Sequence, residues 1–577
     1  MRHDTPRLRG ASVFEGDMIP GALHIGTTRQ LFLDDRVVER ASNVRRRLHR
    51  PVRHPANPVV RADRAWEQGG SGVDVTGGTV LFDSEEGRFK MWYRTNQAIL
   101  ETDPDGTQRE AAGAAYVSCY AVSQDGVSWE KPQLDLVEFH GRRDNNMLPP
   151  ASGGRGFIRR PNLIKDYDEA DPERRYKMVY LDEIGGRFAL VPAYSGDGIH
   201  WRMDPAPPAF FERPVIPNGI LFGWDPNRSE YVLYHRNAGQ EPADVDGRAV
   251  RSDLRRLVRS ASRDFETWRE TAVALELGAG DPDDLDVGHL GILSGVLYAG
   301  DQYVGFLDTA TARAVEDVPA ELWEPIYKMD HAEHRQELVV SRDGMRWTRA
   351  LPHWECIRPG LPGAWDSNHV IPSKPITRGD RIYIYYSGNC RSCKSYLPGS
   401  PDAASSSYAI GLATLRLDGF ASIEAYTPGG WLETRPLMFE GDRLVINAGA
   451  PREPFRASGQ GDVVFEGDRT FIRPRAHEAP APRQAEPFGA VRVELTNAAG
   501  SPLGGLGAAD CDPFTGDSTR HVVTWSGNAD VGRAAGQPVR VKFYLTQAAL
   551  YSFEFAGAAA RPRADPACPG CRGAPRT

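Results

Sequence analysis

The chain has 577 residues, 40% apolar and 25% charged, with 69 Lys and Arg against 77 Asp and Glu and a net charge of −8. The length excludes a single small core, and the negative balance excludes a nucleic-acid partner held by phosphate attraction. Gly (59) and Pro (44) are abundant, which suits an all-β chain with many turns rather than a helical one.

The opening run, MRHDTPRLRGASVFEGDM, is basic but holds no apolar stretch of signal-peptide length, and no later stretch is long enough to span a membrane. The expectation is a soluble, cytoplasmic chain with no membrane partner, and with residues 1–28 disordered. LFLDDRVVE (Leu31–Glu39) reads as a strand that closes or caps the domain that follows. Asp34 and Asp35 within it read as turn-capping groups rather than as a nucleophile.

A two-part unit then recurs. Its second part is S-x-D-G-x-x-W: SQDGVSW (Ser123–Trp129), SGDGIHW (Ser195–Trp201), the variant SRDFETW (Ser262–Trp268), SRDGMRW (Ser341–Trp347) and a weaker LDGF (Leu417–Phe420). The aspartates Asp125, Asp197, Asp264, Asp343 and Asp418 are spaced by 72, 67, 79 and 75 residues. Asp bonds to nearby backbone N–H groups, Gly takes the positive φ of a tight turn, and Trp starts a strand. Where Phe265 replaces Gly, the turn is expected to differ. The first part is an apolar strand, a polar turn and an aromatic strand, as in GTVLFDSEEGRFKMWYR; RFKMWY (Arg88–Tyr93) and RYKMVY (Arg175–Tyr180) nearly coincide. Four strands per unit of about 70 residues make a propeller blade with long loops. The predicted fold is therefore all-β: a five-bladed β-propeller over 29–428, with blades starting near residues 72, 158, 217, 288 and 368. After it come half-buried strands such as VRVKFYLT and LYSFEF, predicted as a small C-terminal β-sandwich over 429–557. A Pro/Ala-rich insert interrupts it near 450–486, and 558–577 read as a disordered tail. The pairs Cys390/Cys393 and Cys568/Cys571 among the seven cysteines read as unrelated loop pairs, and His331 and His334 as loop residues, so neither a metal nor a cofactor is expected.

LFLDD, LHRPVRHPANPVV (Leu48–Val60), GRFKMWYR, SRDG-x-x-W, GLATLRLDGF (Gly411–Phe420) and GDSTRHVVTW…LYSFEF together resemble a bacterial group described as similar to glycoside hydrolase family 32. The resemblance covers about residues 30–556 except the insert. It implies the superfamily of five-bladed glycosidases, which includes invertases, levansucrases, arabinanases and xylosidases, and hence a carbohydrate substrate.

Glycoside cleavage needs two carboxyl groups flanking the bond. In a propeller, the start of each blade's first strand and the end of its second reach one face, and this rule selects positions directly. Blade 1 offers Asp74 and Asn96. Blade 2 offers Arg159, Arg160 and Asn162, then Asp182 and Glu183. Blade 3 offers Asn218, His235 and Arg236. Blade 4 offers Asp286, His289 and Asp308. Blade 5 offers Asp366, Asn368 and His369 in WDSNHV, then Asn389. The acid–base pair is drawn from Asp74, Asp182, Glu183 and Asp366, with Asp366 expected to approach Asp74 where the ring closes. Arg160, Asn162, His235, Arg236, His289, Asp308, Asn368 and His369 are the substrate-binding candidates. The pattern departs from invertases: Arg159-Arg160-Pro161 stands where they have Arg-Asp-Pro, and PNGILF lacks their Glu-Cys, while Trp354-Glu355-Cys356 falls in the wrong blade. The leading reading is a glycosidase on a furanoside or related oligosaccharide. A non-catalytic carbohydrate-binding propeller is the alternative, and a protein-binding scaffold is a third.

Overall fold

Runs rich in aromatic and β-branched residues that are buried on both faces, as in Arg88–Gln97 and Arg381–Asn389, form central strands. The computed structural model describes residues 22–68, 72–97, 100–102, 108–110, 115–154, 157–184, 187–203, 219–238, 243–245, 248–250, 255–275, 289–312, 332–351, 354–390, 408–450, 462–466, 469–473 and 489–557. The predicted disordered tail, Cys393, Cys568 and Cys571 lie outside them, as does His331. The chain divides into two units, one spanning Arg50–Leu415 and the other combining residues up to His49 with those from Arg416.

Among the described residues of the Arg50–Leu415 unit, five antiparallel sheets of three to five strands succeed one another along the chain, beside two two-stranded ones. Their first strands are Val73–Asp83, Arg159–Lys165, Gly219–Asp225, His289–Ala299 and His369–Pro372, each beginning beside an expected start. These first strands touch in succession, and His369–Pro372 returns to meet Val73–Asp83. The two-residue strand Val52–Arg53 pairs with Ala409–Arg416 and forms the outer edge of the fifth sheet.

Two repeated contacts join neighbouring sheets. The first uses the Asp-Gly turn. Asp125, Asp197, Asp264 and Asp343 each accept two backbone N–H bonds at 2.7–2.9 Å. Gly126, Gly198 and Gly344 take φ of +76°, +79° and +67°, and each glycine carbonyl accepts a hydrogen bond from an aromatic residue of the preceding sheet. Tyr385 Oη reaches Gly126 at 2.7 Å, Trp92 Nε1 reaches Gly198 at 2.6 Å and Tyr234 Oη reaches Gly344 at 2.6 Å. Phe265 corrects the sequence expectation. Its turn keeps the same aspartate bonds and the same left-handed φ, +66°, despite the side chain. The reason lies in the second sheet. RYKMVY puts the smaller Val179 where RFKMWY has Trp92, and the buried Phe265 joins Val179 in one apolar cluster, its ring against Tyr194, Tyr231 and Trp268.

The second contact is an aspartate near the far end of a first strand that accepts from a tyrosine of the next sheet. The pairs are Asp83–Tyr176 at 2.9 Å, Asp166–Tyr231, and Asp225–Tyr303 at 2.7 Å. Asp83 is fully buried and is also held by Lys90 and Lys165, both at 2.9 Å. Burial pushes its carboxyl up, but these ammonium groups and the Tyr176 phenol outweigh it and hold it well below the usual carboxylate range.

The other unit has two six-stranded sheets sharing one apolar core that includes Phe32, Ile446, Phe543, Phe553 and Phe555. It takes in residues that the sequence reading gave to the 29–428 domain. Gln30–Leu31 pairs with Ala548–Ala556, Val38–Ser42 with Gly430–Thr434, and Arg45–Leu48 with Ala421–Ala425. Leu31–Glu39 is thus not one strand but a strand end, a turn and a strand start, with Asp34 accepting from Arg36 N at 3.0 Å in the turn. The weak fifth motif also differs. Asp418 itself takes φ +57° and bonds Arg29 and Ser552 instead of its own turn. The Pro/Ala-rich insert holds a hairpin, Asp462–Glu466 with Arg469–Arg473.

Candidate active site

Antiparallel register brings first-strand starts and second-strand ends to one end of each sheet. Asp74 faces Arg94, Gly219 faces His235, His289 faces Ala310 and His369 faces Asn389. This is the end of each sheet from which the candidates were selected.

Asp74 is engaged through both of its oxygens. Its Oδ2 accepts from Arg94 Nε at 2.7 Å and from a second guanidinium nitrogen; its Oδ1 accepts from Ser387 Oγ at 2.6 Å and Thr76 N at 2.5 Å. Burial raises this carboxyl, but the Arg94 charge, with the Ser387 and Thr76 bonds, brings it below its ordinary range. The strand is irregular just beyond, between Asp74 and Thr79. There Gly77, at φ +74°, lets the Arg160 side chain lie on the backbone: a Cβ at Gly77 would stand 3.1 Å from Arg160 Cβ. Arg160 itself adopts φ +56°, uncommon for a residue with a Cβ. Asn162 donates to Gly77 O at 3.0 Å and so knits the first two sheets together.

Asp182, buried, accepts from the phenol of Tyr180 at 3.1 Å. Burial, with Asp182 beside it, pushes the Tyr180 hydroxyl far above its ordinary range. His369 meets Tyr408 Oη at 2.7 Å, and Tyr408 O accepts from Val73 N at 3.0 Å, so His369 is tied to the strand that carries Asp74. His235 is buried against Ser260 Oγ at 2.9 Å, and Asp308 accepts from Gln336 Nε2 at 2.6 Å. Asn368 is half-buried, and its N–H donates to Asn389 O at 3.0 Å. The side chains of Glu183, Arg236, His289 and Asn96 lie outside the described residues, as do Asn218 and Asp286 altogether.

Asp366 is held elsewhere than beside Asp74. It accepts from Arg53 Nε at 3.0 Å and from Tyr386 Oη at 3.1 Å. Tyr386 and Ser387 are successive residues of one strand, so their side chains leave on opposite faces. The two aspartates therefore bind side chains on opposite faces of that strand. Trp365 stacks on Tyr386 with ring centroids 5.7 Å apart.

Arg94 and Ser387 escaped the sequence reading although both sit at second-strand ends, where the selecting rule applies. Arg53 carried no signal, since it precedes Asp366 by 313 residues. Among the described residues, no group of three or more His, Cys, Asp and Glu is placed to hold a metal ion, and no helix is long and apolar enough to cross a membrane.

No family model and no curated protein sequence matches the chain. Among solved structures it is similar to a glycosyl hydrolase from Bacteroides ovatus, at 14% identity over 64% of this chain and 93% of that one, with a TM-score of 0.36. It is likewise similar to the catalytic domain of a GH62 alpha-L-arabinofuranosidase from Coprinopsis cinerea, at 12% identity over 64% and 97%, TM-score 0.38. A third is an N-acetylgalactosamine deacetylase from F. plautii in complex with blood group B trisaccharide, at 14% identity over 66% and 97%, TM-score 0.37.

Proposed function

We propose that the chain is a glycoside hydrolase acting on a furanoside or related oligosaccharide, its five successive sheets being the blades of a propeller and its second unit a β-sandwich. The observation that carries the reading is Asp74, a buried carboxylate at the strand-start end of the sheets whose two oxygens meet only donors. Arg94 and the Thr76 N–H have nothing but protons to offer, so this carboxyl is ionised and suits the base or nucleophile of the pair. Its partner, the proton-bearing acid, is Asp182 or Glu183. Arg160, Asn162, His235, Arg236, His289, Asp308, Asn368 and His369 frame the sugar. Asp366, paired with Arg53, anchors the run that carries Asn368 and His369. The furanoside class follows from the sequence resemblance carried by LFLDD, SRDG-x-x-W and GLATLRLDGF.

Purified protein incubated with para-nitrophenyl furanosides, pyranosides and oligosaccharides tests this. Turnover that Asp74→Asn abolishes, and that one of Asp182→Asn and Glu183→Gln also abolishes, is expected. Saturable sugar binding without turnover would replace the enzyme by the carbohydrate-binding alternative.

A further inference from the structure

Ser387 lies in the fifth sheet and is fully buried, yet its hydroxyl reaches the first strand of the first sheet at three points. It is 2.6 Å from Asp74 Oδ1, 2.8 Å from Val75 N and 3.1 Å from Thr76 N. A hydroxyl has one proton and two lone pairs. The two backbone N–H groups can only donate, so they occupy the lone pairs. The single hydroxyl proton is thereby directed at Asp74.

We infer that Ser387 is a positioning residue of the proposed glycosidase site, fixing the direction of the Asp74 carboxylate and keeping it ionised across the junction between the fifth and first sheets. The inference rests on the role given to Asp74 above. On the elements packed against this strand, the charged or titratable groups towards its Asp74 end include Arg94 from the second strand of the sheet, Arg159 and Arg160 from the second sheet, and His369, bonded to Tyr408, from the fifth, while Lys90 and Lys165 hold Asp83 at its other end. Arg94 supplies the charge. Ser387 supplies the direction, because it holds the other oxygen while clamping the two peptide groups that follow.

The test compares Ser387→Ala with wild type on a para-nitrophenyl arabinofuranoside, with the pyranosides as alternates. Losing a hydrogen bond to a charged group is expected to lower kcat about tenfold with KM little changed, and to move the acidic limb of kcat/KM upward by about one pH unit. Ser387→Thr, which keeps the hydroxyl, is expected to restore the limb. A readout free of substrate is the melting temperature against pH. The loss caused by Ser387→Ala is expected at neutral pH, to shrink as pH falls through the carboxylate range, and to be smaller in an Asp74→Asn background, where only the bonds from Val75 N and Thr76 N are lost. Should Ser387→Ala fail to fold, Ser387→Cys takes its place, its thiol filling the space but donating weakly. A folded variant with wild-type pH limb, and the same melting loss whether residue 74 is Asp or Asn, overturns the inference while leaving the glycosidase reading intact. Full turnover by Asp74→Asn overturns both.

Discussion

Asp74 and Asp83 stand near the two ends of one strand, Val73–Asp83, and both are buried anions held by cations. Their surroundings differ in kind. Asp83 is embraced by two lysines and a tyrosine, and Lys165 and Tyr176 belong to the next sheet, so its charge is consumed in joining sheets. Asp74 has an arginine from its own sheet and a serine from the sheet before, beside an irregular stretch of backbone and a left-handed Arg160. Regular strand and symmetric charge pairing mark a structural ion pair. Broken register and backbone strain next to an oriented carboxylate support the role proposed for Asp74.

The contrast is broken most directly by exchanging charge for amide at each end. Asp74→Asn is expected to lower turnover by about 10²–10⁴-fold, the range of a lost acid–base group, with a folded chain by circular dichroism. Asp83→Asn is expected to leave turnover intact at low temperature but to cost about 3 kcal/mol of stability in urea unfolding, since two buried ammonium groups lose their shared partner. If Asp83→Asn impaired turnover at temperatures where it stays folded, the division of labour between the two ends would be wrong.

Phe265→Ala supplies an uncharged reference for the same unit. Removing the ring from its apolar cluster is expected to cost about 3 kcal/mol, with the left-handed strain unchanged because Ala keeps a Cβ, and with no shift in any pH profile. Val179→Trp in a Phe265→Gly background, which recreates the Trp92–Gly198 pairing, is expected to recover part of that loss in the same measurement.

The smallest effects separate by pH. Burial, opposed by Glu424, drives the His49 imidazole from 6.5 down to about 4, while Ser422 Oγ sits 2.7 Å from its Nε2. A lowered histidine contributes stability above its unfolded value that is lost as pH falls through 6.5 towards 4. Asp83 and Asp74, lowered carboxylates, contribute stability that is lost only below the ordinary carboxylate range, near pH 4. Melting curves of His49→Gln should therefore flatten between those values, and those of Asp83→Asn below them. A single acid transition unaffected by either substitution would remove the distinction.

The turn motif carried most of the fold, because Ser-x-Asp-Gly is satisfied locally: Asp125 bonds residues two and three positions on, whatever surrounds it. Strand starts followed from the same local chemistry. What stayed hidden depends on distant partners. Phe265 reads as a broken turn until the apolar cluster it shares with Val179 is placed around it. Asp83, in the polar run DSEEG, reads as an ordinary turn residue until Lys165 and Tyr176 arrive from the next sheet. At the site, Asp74, Asp182 and His369 were selected by strand position alone. That rule fixes which end a residue reaches but not the face on which its side chain leaves, which is how Asp366 came to be expected beside Asp74.

The outer edge of the fifth sheet is made by Val52–Arg53, which precedes the first sheet in the chain, paired with Ala409–Arg416. The edge strand emerges early in synthesis but cannot pair until Ala409–Arg416 has followed, so the final pairing joins residues at the two extremes of the unit. Such a contact carries a large loop-closure entropy, places the unit among high-contact-order folds and makes the edge strand one of the last elements to register. Until then the Ala409–Arg416 edge presents unpaired peptide groups, a template for the same segment of another chain. The strand that seals the sheet in the finished molecule is thus also the point at which a nascent chain is most exposed to domain exchange and aggregation.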